Sequence, residues 1–496
     1  MLWPDLKKFT FSGKETIYFR LTKAAPEIIL HASELKIQNA KFIKGREEIL
    51  AKRIIYRPKS EMVIFRFGQK LPRGKARLEL AFSGVLSDKL RGFYRSRYEV
   101  GGKERYLATT QFEATDARRA IPCVDEPAAK AVFDVTLIVP KGLAAVSNTV
   151  PEVVEEHVPG YQVVKFAPTP KMSTYLLAFI VGDLEYVEGK TKEGIIVRVF
   201  TTPGKKKQAE FALGVAKKTV SFFNDYFGIA YPLPVLDLIA IPDFQAAAME
   251  NWGAITFRER AILIDPQHSS EQIRRWVALV IAHEIAHQWF GNLVTMEWWT
   301  HLWLNEGFAR FCEHLALHKL FPKWKVWRRF SQSVLGEAMS CDSLLSTHPI
   351  EVPVHHPDEV NEIFDDISYA KGAAVIKMLA EYLGPKDFRN GLRHYLDRHS
   401  YKNATTDDLW AAFEHISKKP VREMMHAWTR RPGYPLINIV DKCRKLELSQ
   451  KRFFVSPISA RKAKDRTRWL IPLKIAAPGR DKKYLLGKEP LNLPDT

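Results

Sequence analysis

Two histidines four residues apart, in the run AHEIAHQW, are the side chains of this sequence best placed to do chemistry. His283 and His287 fall within a strongly helical stretch at about residues 272–290, so their imidazoles share one face of a helix, one turn apart. Two neutral imidazoles at that spacing can bind one Zn²⁺, and Glu284 beside them can polarise a water on the metal. The motif alone is a moderate signal, because it also arises by chance on solvated helices.

A second acidic position supplies a candidate third ligand. Glu306 lies in the apolar stretch LWLNEGFA, 19 residues after His287, a separation that suits a helix–loop–helix. A buried glutamate among Leu, Trp and Phe is costly unless it is paired or metal-bound, and two His with one Glu leave a coordination position open for water. Glu313 is a candidate hydrogen-bond acceptor for a ligand histidine, although a surface position suits it equally. His301 could be a stray ligand, but its offset from Glu306 favours a bystander.

Apolar periodicity divides the chain into three predicted domains, and the fold class is multidomain α and β. Short β-rich runs bounded by turn residues predict an N-terminal antiparallel β-sheet domain at 1–202. The apolar spacing then becomes helical, which predicts a mostly helical domain with a small sheet at 203–432. After a Pro/Gly break, short strands predict a small C-terminal β domain at 433–496. The runs interpreted as strands are 16–21, 62–67, 132–139, 175–181, 195–200, 436–440, 453–455 and 470–475.

The amino-acid composition is that of an ordinary globular protein with a positive net charge. Its 496 residues favour two to four domains, and 46% of them are apolar. The formal charge is +19, and residues 441–496 hold 15 Lys or Arg against 6 Asp or Glu. We interpret this region as a solvated basic face and expect no nucleic-acid partner, because no nucleic-acid-binding module accompanies the charge.

Leader, membrane and cysteine signals are weak. The first residues contain no apolar signal-peptide core, and the apolar stretches are too short to span a bilayer, so we expect a cytoplasmic protein with no membrane partner.

Four sparse cysteines without a CxxC pair are interpreted as reduced core thiols rather than as a disulfide framework or a metal site. They are Cys123, Cys312, Cys341 and Cys443.

The segment AAAMENWG at 246–253, just upstream of the two histidines, carries a resemblance to a known family. It is similar to the GxMEN signature of the aminopeptidase N and puromycin-sensitive aminopeptidase family of zinc metallopeptidases, the gluzincins. The HExxH motif, a glutamate 19 residues later and the WLNEGFA run occur together in that family. Other similar segments lie at 92–96, 110–119, 122–127, 364–372 and 428–435. The resemblance covers most of residues 10–440 and implies a thermolysin-like catalytic domain.

The resemblance also implies roles for individual residues. Tyr369, in the run FDDISYAKG, matches the family's catalytic tyrosine, whose phenol stabilises the oxyanion. Glu250 matches the main anchor for the N-terminal ammonium of a substrate, Glu113 matches the second anchor, and Glu306 is a third carboxylate. Substrate-binding positions are implied for Gln111, Glu113, Ala247, Ala248, Met249, Glu250 and Asn251.

Together these expectations describe a zinc-dependent aminopeptidase with one Zn²⁺ per chain, which hydrolyses the N-terminal bond of peptides through a metal-activated water. Glu284 would take the proton of that water and deliver it to the leaving amine, so one carboxylate acts as base and then as acid. One alternative is a zinc endopeptidase that shares only the metal helix, and another is a catalytically silent protein that binds anionic partners. A monomer and a homo-oligomer are both compatible with the sequence.

Two features depart from the family pattern. Ala247 stands where the family usually has Gly, and its methyl group could crowd the backbone of a substrate. The sequence ends at Thr496, where family members usually continue into a long helical C-terminal domain. We therefore expect a more open substrate chamber or coverage of the site by an oligomer partner.

Overall fold

The structure, a computed structural model, describes residues 1–442, 445–477 and 480–494. The chain divides into two compact units, one formed by residues 1–221 with 231–288 and the other by residues 222–230 with 289–496. The predicted multidomain α and β class is confirmed, with sheets in the first 201 residues and mostly helices from residue 206 onward. The boundaries of the three predicted domains stay a prediction.

Strands dominate the first unit. They are β1 Leu2–Asp5, β2 Thr10–Leu21, β3 Ala25–His31, β4 Lys36–Lys44, β5 Glu47–Arg57, β6 Met62–Leu71, β7 Gly74–Val85, β8 Gly92–Val100, β9 Lys103–Gln111, β10 Thr136–Pro140, β11 Ala144–Ser147, β12 Pro151–Val158, β13 Tyr161–Phe166, β14 Phe179–Gly182, β15 Glu185–Lys190, β16 Ile196–Thr201, β17 Val235–Ile241, β18 Ala248–Met249 and β19 Ala254–Arg258. Two long helices follow the first sheets, α1 Lys206–Phe227 and α2 Glu271–His287.

Two antiparallel sheets account for most of these strands. A ten-stranded sheet has the order β12-β13-β10-β1-β2-β7-β4-β5-β6-β3, and every pair in it except β1 with β10 is antiparallel among the described residues. A four-stranded sheet has the order β11-β14-β9-β8. Buried and less buried residues alternate along the start of β6, as expected for a strand with one face toward a core. The predicted antiparallel assembly is confirmed.

A five-stranded mixed sheet supports the candidate site. Its order is β15-β16-β17-β19-β18, with parallel pairs in the middle and antiparallel pairs at both edges. Every residue of β17 (VLDLIAI) is buried, as in a central parallel strand that is covered on both faces. The edge strand β18 has only two residues, and it pairs Met249 with Thr256 and Ala248 with Phe257. This pairing holds the segment that leads into Glu250.

Helix α2 begins and ends where the local chemistry favours it. The Ser270 side chain accepts a hydrogen bond from the backbone N–H of Ile273, and Glu271 places a negative charge in the first turn. The helix ends at His287, and the next residue, Gln288, forms the cap. The predicted helical stretch over 272–290 is thus confirmed to within three residues.

The second unit is mostly helical. Its helices are α3 Trp303–Leu320, α4 Val326–Gln332, α5 Val334–Asp342, α6 Gly372–Leu383, α7 Pro385–His399, α8 Thr406–Ser417, α9 Val421–Thr429 and α10 Pro457–Ala463. Its strands are β20 Val294–Met296, β21 Lys402–Ala404, β22 Pro435–Asp441, β23 Lys445–Arg452, β24 Ile471–Ala477, β25 Arg480–Leu486 and β26 Leu491–Pro494. A π-helical turn, Ile367–Lys371, precedes α6 and carries Tyr369.

Some residues predicted as strands lie outside the observed ones. Residues 453–455 follow the end of β23, because the N–H of Phe453 bonds to Tyr434 O and the N–H of Val455 bonds to Ser343 O. Residues 132–135 precede β10, and there Phe133 and Thr169 form only an isolated pair of hydrogen bonds. Residues 174–176 form a 3₁₀ turn before β14. These isolated hydrogen bonds satisfy backbone N–H and C=O groups without lengthening the β-strands.

Cysteines and hydropathy add two observations. Cys123 and Cys312 are buried and free, and Cys341 is partly buried and free; Cys443 lies outside the described residues. Burial raises the pKa of the Cys123 and Cys312 thiols, which agrees with the predicted reduced core thiols. Across the described residues, we find no helix with the length and hydropathy needed to cross a bilayer.

A buried ion pair in the first unit gives a stability prediction. Arg118 Nε donates to Asp125 Oδ2 at 2.9 Å, and the two side chains are 4% and 1% exposed. We expect Asp125→Ala to lower the free energy of unfolding by about 3 kcal/mol, because the buried guanidinium loses its buried partner and keeps only the part-exposed Glu61 carboxylate. Urea denaturation followed by circular dichroism measures the change.

The matched control removes an exposed carboxylate from an arginine on the same unit. Glu27 Oε2 lies 3.2 Å from Arg66 Nη2, and both groups are more exposed than the buried pair. We expect Glu27→Ala to cost no more than about 1 kcal/mol. Equal losses in the two variants would contradict the assignment of Arg118 and Asp125 as a buried structural pair.

Candidate active site

The last turn of α2 brings the predicted histidines together. The imidazole centroids of His283 and His287 lie 4.7 Å apart with an interplanar angle of 77°. His287 is 1% exposed and Glu284 is 6% exposed, whereas His283 is only partly buried. The four-residue spacing therefore has the predicted consequence, since both rings lie on one face of the helix.

A second carboxylate adjoins these side chains within the first unit. Glu250, the residue after β18, is 3% exposed, and its Oε1 lies 3.9 Å from His287 Nδ1. Donor atoms of Glu250, Glu284 and His287 all lie within 4.8 Å of one another, a grouping that could hold a metal ion. Two carboxylates this close repel each other and lose hydration, so a nearby cation stabilises their ionised forms. The donor chemistry therefore suits a bound cation or an ammonium group.

Gln288 fixes the relative positions of the helix and the Glu250 segment, a role that its residue type and spacing do not predict. Its Nε2 donates to the carbonyls of Glu250 at 3.3 Å and Glu284 at 3.1 Å, while its Oε1 accepts the N–H of Gly253 at 3.3 Å. The only sequence signal was its place directly after the second histidine. One buried amide thus holds the backbone beneath both carboxylates.

The backbone at Gly253 requires glycine. Its φ is +78°, and a Cβ placed there would come within 2.2 Å of the Asn148 carbonyl oxygen. Asn148 itself donates from Nδ2 to the carbonyl of Trp252 at 2.8 Å. The turn after Glu250 is therefore packed directly against the chain at Asn148.

The loop before β18 is anchored to β8 through Asp243. The Tyr94 hydroxyl donates to Asp243 O at 2.9 Å, the N–H of Arg97 donates to Asp243 Oδ2 at 2.8 Å, and the N–H of Asp243 donates to Ser96 Oγ at 2.8 Å. Burial raises the pKa of Tyr94, so its hydroxyl stays a donor. Arg258 adds contacts to the carbonyls of nearby loop residues 244 and 245. Hydrogen bonds therefore fix the loop at residues 243–245, which leads to β18.

The predicted substrate-binding positions divide by exposure. Ala247 is exposed, Ala248 and Glu113 are partly buried, and Met249 is buried. Gln111, at the end of β9, contacts Met249, with its Nε2 at 3.4 Å from the sulfur. The structure therefore brings Gln111 and Met249 together on adjoining strands of different sheets.

Asn251 has a local structural use. Its Nδ2 donates to Ala254 O at 3.3 Å and to Thr256 Oγ1 at 3.1 Å, across the turn between β18 and β19. These bonds stabilise the turn that presents Glu250. A substrate contact through Asn251 stays a prediction.

The remaining predicted residues belong to the second unit. Glu306, in the first turn of α3, is 2% exposed, and Glu313 is buried on the same helix. Glu313 Oε1 lies 3.0 Å from Arg310 Nη1 and 3.2 Å from His314 Nδ1. Tyr369 is partly buried, and its ring centroid lies 6.4 Å from that of Phe364.

His301 makes contacts that suit the bystander interpretation. Its Nδ1 lies 3.0 Å from Thr406 Oγ1 and 4.0 Å from Glu351 Oε2. Burial lowers the pKa of His301, against the opposing effect of Glu351, so the neutral form is favoured. Among the described residues, no grouping that could hold a metal ion includes it.

Comparison with known proteins identifies two related domains. The family model described as "Peptidase M1 N-terminal domain" matches residues 1–176, and the one described as "Peptidase family M1 domain" matches residues 211–428. Together they cover most of the chain and confirm the family resemblance.

Several curated proteins are similar over nearly the whole chain. Aminopeptidase M1-A of Oryza sativa subsp. japonica is 47% identical over 98% of this chain and 56% of its own length. Aminopeptidase M1 of Arabidopsis thaliana is 46% identical over 97% of this chain and 54% of its own length. The puromycin-sensitive aminopeptidase of Caenorhabditis elegans is 43% identical over 96% of this chain and 50% of its own length. The chain thus spans about half the length of the curated relatives it matches.

The role of Gln288 can be tested by replacing its amide with an apolar group of similar length. We expect Gln288→Met to lower the free energy of unfolding by about 1–3 kcal/mol, because the buried Gly253 N–H and Glu250 carbonyl lose a partner. Chemical denaturation measures the loss. Gln267→Met, on an exposed turn of the same unit, is the control and should change stability by less than about 0.5 kcal/mol. A neutral Gln288→Met would show that the amide does not bridge the two segments.

Proposed function

This chain belongs to peptidase family M1, and from that premise we propose that it is a zinc-dependent aminopeptidase that releases residues one at a time from the free N-terminus of peptides. The observation that carries the proposal is the buried grouping of Glu250, Glu284 and His287 at the end of α2. Such a cluster provides donors for a divalent cation and negative charge for a substrate ammonium in the same place.

We assign one Zn²⁺ to His283, His287 and Glu306. Two imidazoles with a carboxylate are a donor set typical of catalytic zinc, and the sequence spacing and the family resemblance support this choice of ligands. When bound, Zn²⁺ would polarise the scissile carbonyl and lower the pKa of a water molecule. Glu313 is proposed to support a ligand histidine as a hydrogen-bond acceptor.

Two side chains carry the proton and charge changes of the reaction. Glu284 takes a proton from the attacking water and delivers it to the departing amine, so its carboxylate is regenerated in each cycle. Tyr369 donates its phenolic hydrogen bond to the oxygen on which negative charge develops. Both roles require side chains held in place before substrate arrives.

Glu250 and Glu113 are proposed to restrict cleavage to the N-terminal bond, because they bind the free ammonium of the peptide. A carboxylate with little access to water forms a strong, charge-assisted hydrogen bond with a free ammonium, and Glu250 is 3% exposed. Gln111, Ala247, Ala248, Met249 and Asn251 are proposed to complete the subsite for the first substrate residue. This local negative field orients the peptide despite a net charge of +19.

The larger organisation is also proposed from the sequence. Residues 1–202 form the N-terminal β domain, residues 203–432 the catalytic domain, and residues 433–496 a small β domain. The expected substrates are peptides with a free N-terminus, without a nucleic-acid or membrane partner, and both a monomer and a homo-oligomer remain compatible with this function.

Catalysis by Glu284 predicts a large loss in a conservative variant. We expect Glu284→Gln to lower kcat on aminoacyl chromogenic amides by about 10²–10⁴-fold, because glutamine cannot accept and return the proton. A chelator should abolish wild-type turnover, and added Zn²⁺ should restore it. The control is Glu271→Gln at the exposed start of the same helix, which should keep wild-type kcat. Full activity in Glu284→Gln would refute the mechanism.

Recognition of the ammonium by Glu250 predicts a change in substrate preference. We expect Glu250→Gln to lower kcat/KM for free-amine substrates by roughly 10- to 100-fold, the loss of one charge-assisted hydrogen bond. N-acetylated substrates should be inert with the wild type. Efficient cleavage of acetylated peptides at internal bonds would instead establish a zinc endopeptidase.

A further inference from the structure

We propose that His348 is a positioning residue for Tyr369: as an imidazolium paired with Asp365, it fixes the backbone turn that carries the tyrosine. The inference rests on the proposed catalytic role of Tyr369. It extends the proposed site to a charged pair in which Asp365 belongs to the run FDDISYAKG and His348 lies 17 residues before it, outside the segments similar to the family.

The turn at Ile367–Lys371 is organised by Asp365. Its Oδ1 accepts the N–H groups of Ile367 at 3.0 Å and Ser368 at 3.1 Å, while its backbone carbonyl accepts the N–H of Tyr369 at 3.0 Å. One residue thus receives three successive backbone donors at the start of the π-helical turn. Movement of Asp365 would therefore shift the Tyr369 backbone, and with it the phenol.

His348 fixes the other oxygen of Asp365. His348 Nε2 lies 2.7 Å from Asp365 Oδ2, and Nδ1 lies 2.8 Å from the Pro349 carbonyl oxygen. A carbonyl oxygen and an ionised carboxylate only accept hydrogen bonds, so both ring nitrogens must carry a proton to satisfy both contacts. The geometry therefore selects the imidazolium and a charge-assisted bond to Asp365.

The titration of the two groups agrees with this geometry. The hydrogen bond to Asp365 raises the pKa of His348 above 6.5, against the opposing effect of burial. Burial would raise the pKa of Asp365, but the bonds from His348 and the Ser368 N–H outweigh it and lower the pKa below 3.8. The ion pair between His348 and Asp365 is fully formed below the ordinary histidine pKa. It is lost as pH rises through the raised pKa of His348. At the acid end it is lost as pH falls through the lowered pKa of Asp365.

A second ion pair holds the far end of the same turn. Lys371 Nζ lies 2.8 Å from Asp342 Oδ2, with both side chains buried, and it also donates to the Gly433 carbonyl at 3.2 Å. The Lys371 charge opposes protonation of His348. Burial lowers the pKa of Lys371 itself, against the opposing attraction of Asp342. The other nearby carboxylate, Asp366, receives a weak contact from Cys341 Sγ at 3.7 Å. The His348 pair is the end of the turn that contains a histidine, the side chain whose ordinary pKa lies nearest to neutral pH.

The test compares the pH dependence of kcat in His348→Gln and the wild type on an alanyl chromogenic amide. We expect His348→Gln to lower kcat about tenfold below neutral pH with less than a twofold change in KM, because the oxyanion bond forms only in the transition state. The loss of kcat that the wild type shows on deprotonation of His348 should be absent from the variant. His348→Arg keeps a cation at all pH values, so it should recover most of kcat.

The matched control is a second histidine–aspartate pair in the same unit. His426 Nε2 also lies 2.7 Å from a carboxylate oxygen, Asp407 Oδ1, and its side chain is 30% exposed against 29% for His348. His426→Gln makes the same chemical change away from the Tyr369 turn. It should leave kcat and its pH profile unchanged.

A double-mutant cycle tests whether His348 acts through the tyrosine. In the Tyr369→Phe background, His348→Gln should have almost no further effect on kcat. Additive losses, or a wild-type pH profile in His348→Gln, would overturn the inference while leaving the aminopeptidase proposal intact.

Hydrogen exchange gives a readout that does not depend on catalysis. Amide protection at residues 367–371 should fall in His348→Gln, and in the wild type it should fall as pH rises through the His348 pKa. Unchanged protection in both cases would overturn the positioning role. An inactive wild type with the expected exchange behaviour would instead identify the proposed catalytic function as the failed step.

Discussion

The burial of two carboxyl groups beside the end of α2 is the constraint on which the candidate site depends. Glu250 and Glu284 lie beside His287 with little access to water, where carboxylates are penalised by lost hydration and by mutual repulsion. Other interactions offset this cost by holding the backbone that carries the two glutamates. They are the Gln288 amide, the β18–β19 pairing and the Ser270 cap. The fold therefore holds the two segments that carry these carboxylates in fixed relative positions.

The neighbouring scaffold is rigid where the proposed chemistry needs precision. Strand β18 has two residues, too few to be stable alone, yet it lies between a loop anchored at Asp243 and a turn in which only glycine fits at position 253. In the second unit, the turn carrying Tyr369 is held at both ends by ion pairs. Irregular segments thus carry Glu250 and Tyr369, whereas Glu284 and the two histidines lie on helix α2.

Residue spacing predicted the parts of this protein that depend on local geometry. The i, i+4 histidines share a helix face because helical periodicity requires it, and the sheet-to-helix transition near residue 202 follows from a change in apolar period. The family resemblance supplied Glu250 and Tyr369 as candidates, which spacing alone could not do, and their roles stay a prediction.

Other features depend on distant partners and could not be predicted. Gln288 acts on the backbone 35 residues earlier, and its side chain leaves no periodic signal. The parallel pairing of β1 with β10 joins Leu2 to Leu137, residues far apart in the chain. Residues 453–455 have strand-like composition, but their N–H groups bond to distant carbonyls, so tertiary contacts override local preference.

The interleaved division of the chain has a consequence for the order of events on the ribosome. The first unit has all its residues once position 288 has emerged, whereas residues 222–230 belong to the second unit. The Phe223 ring contacts Trp289 edge-on, the Phe227 ring contacts it at a tilt, and Phe227 also contacts Phe290 edge-on. These aromatic rings are synthesised long before residues 289–496, so they cannot pack against their partners until those residues have left the ribosome. Nascent chains that stall between residues 230 and 289 would therefore expose this aromatic strip to chaperones.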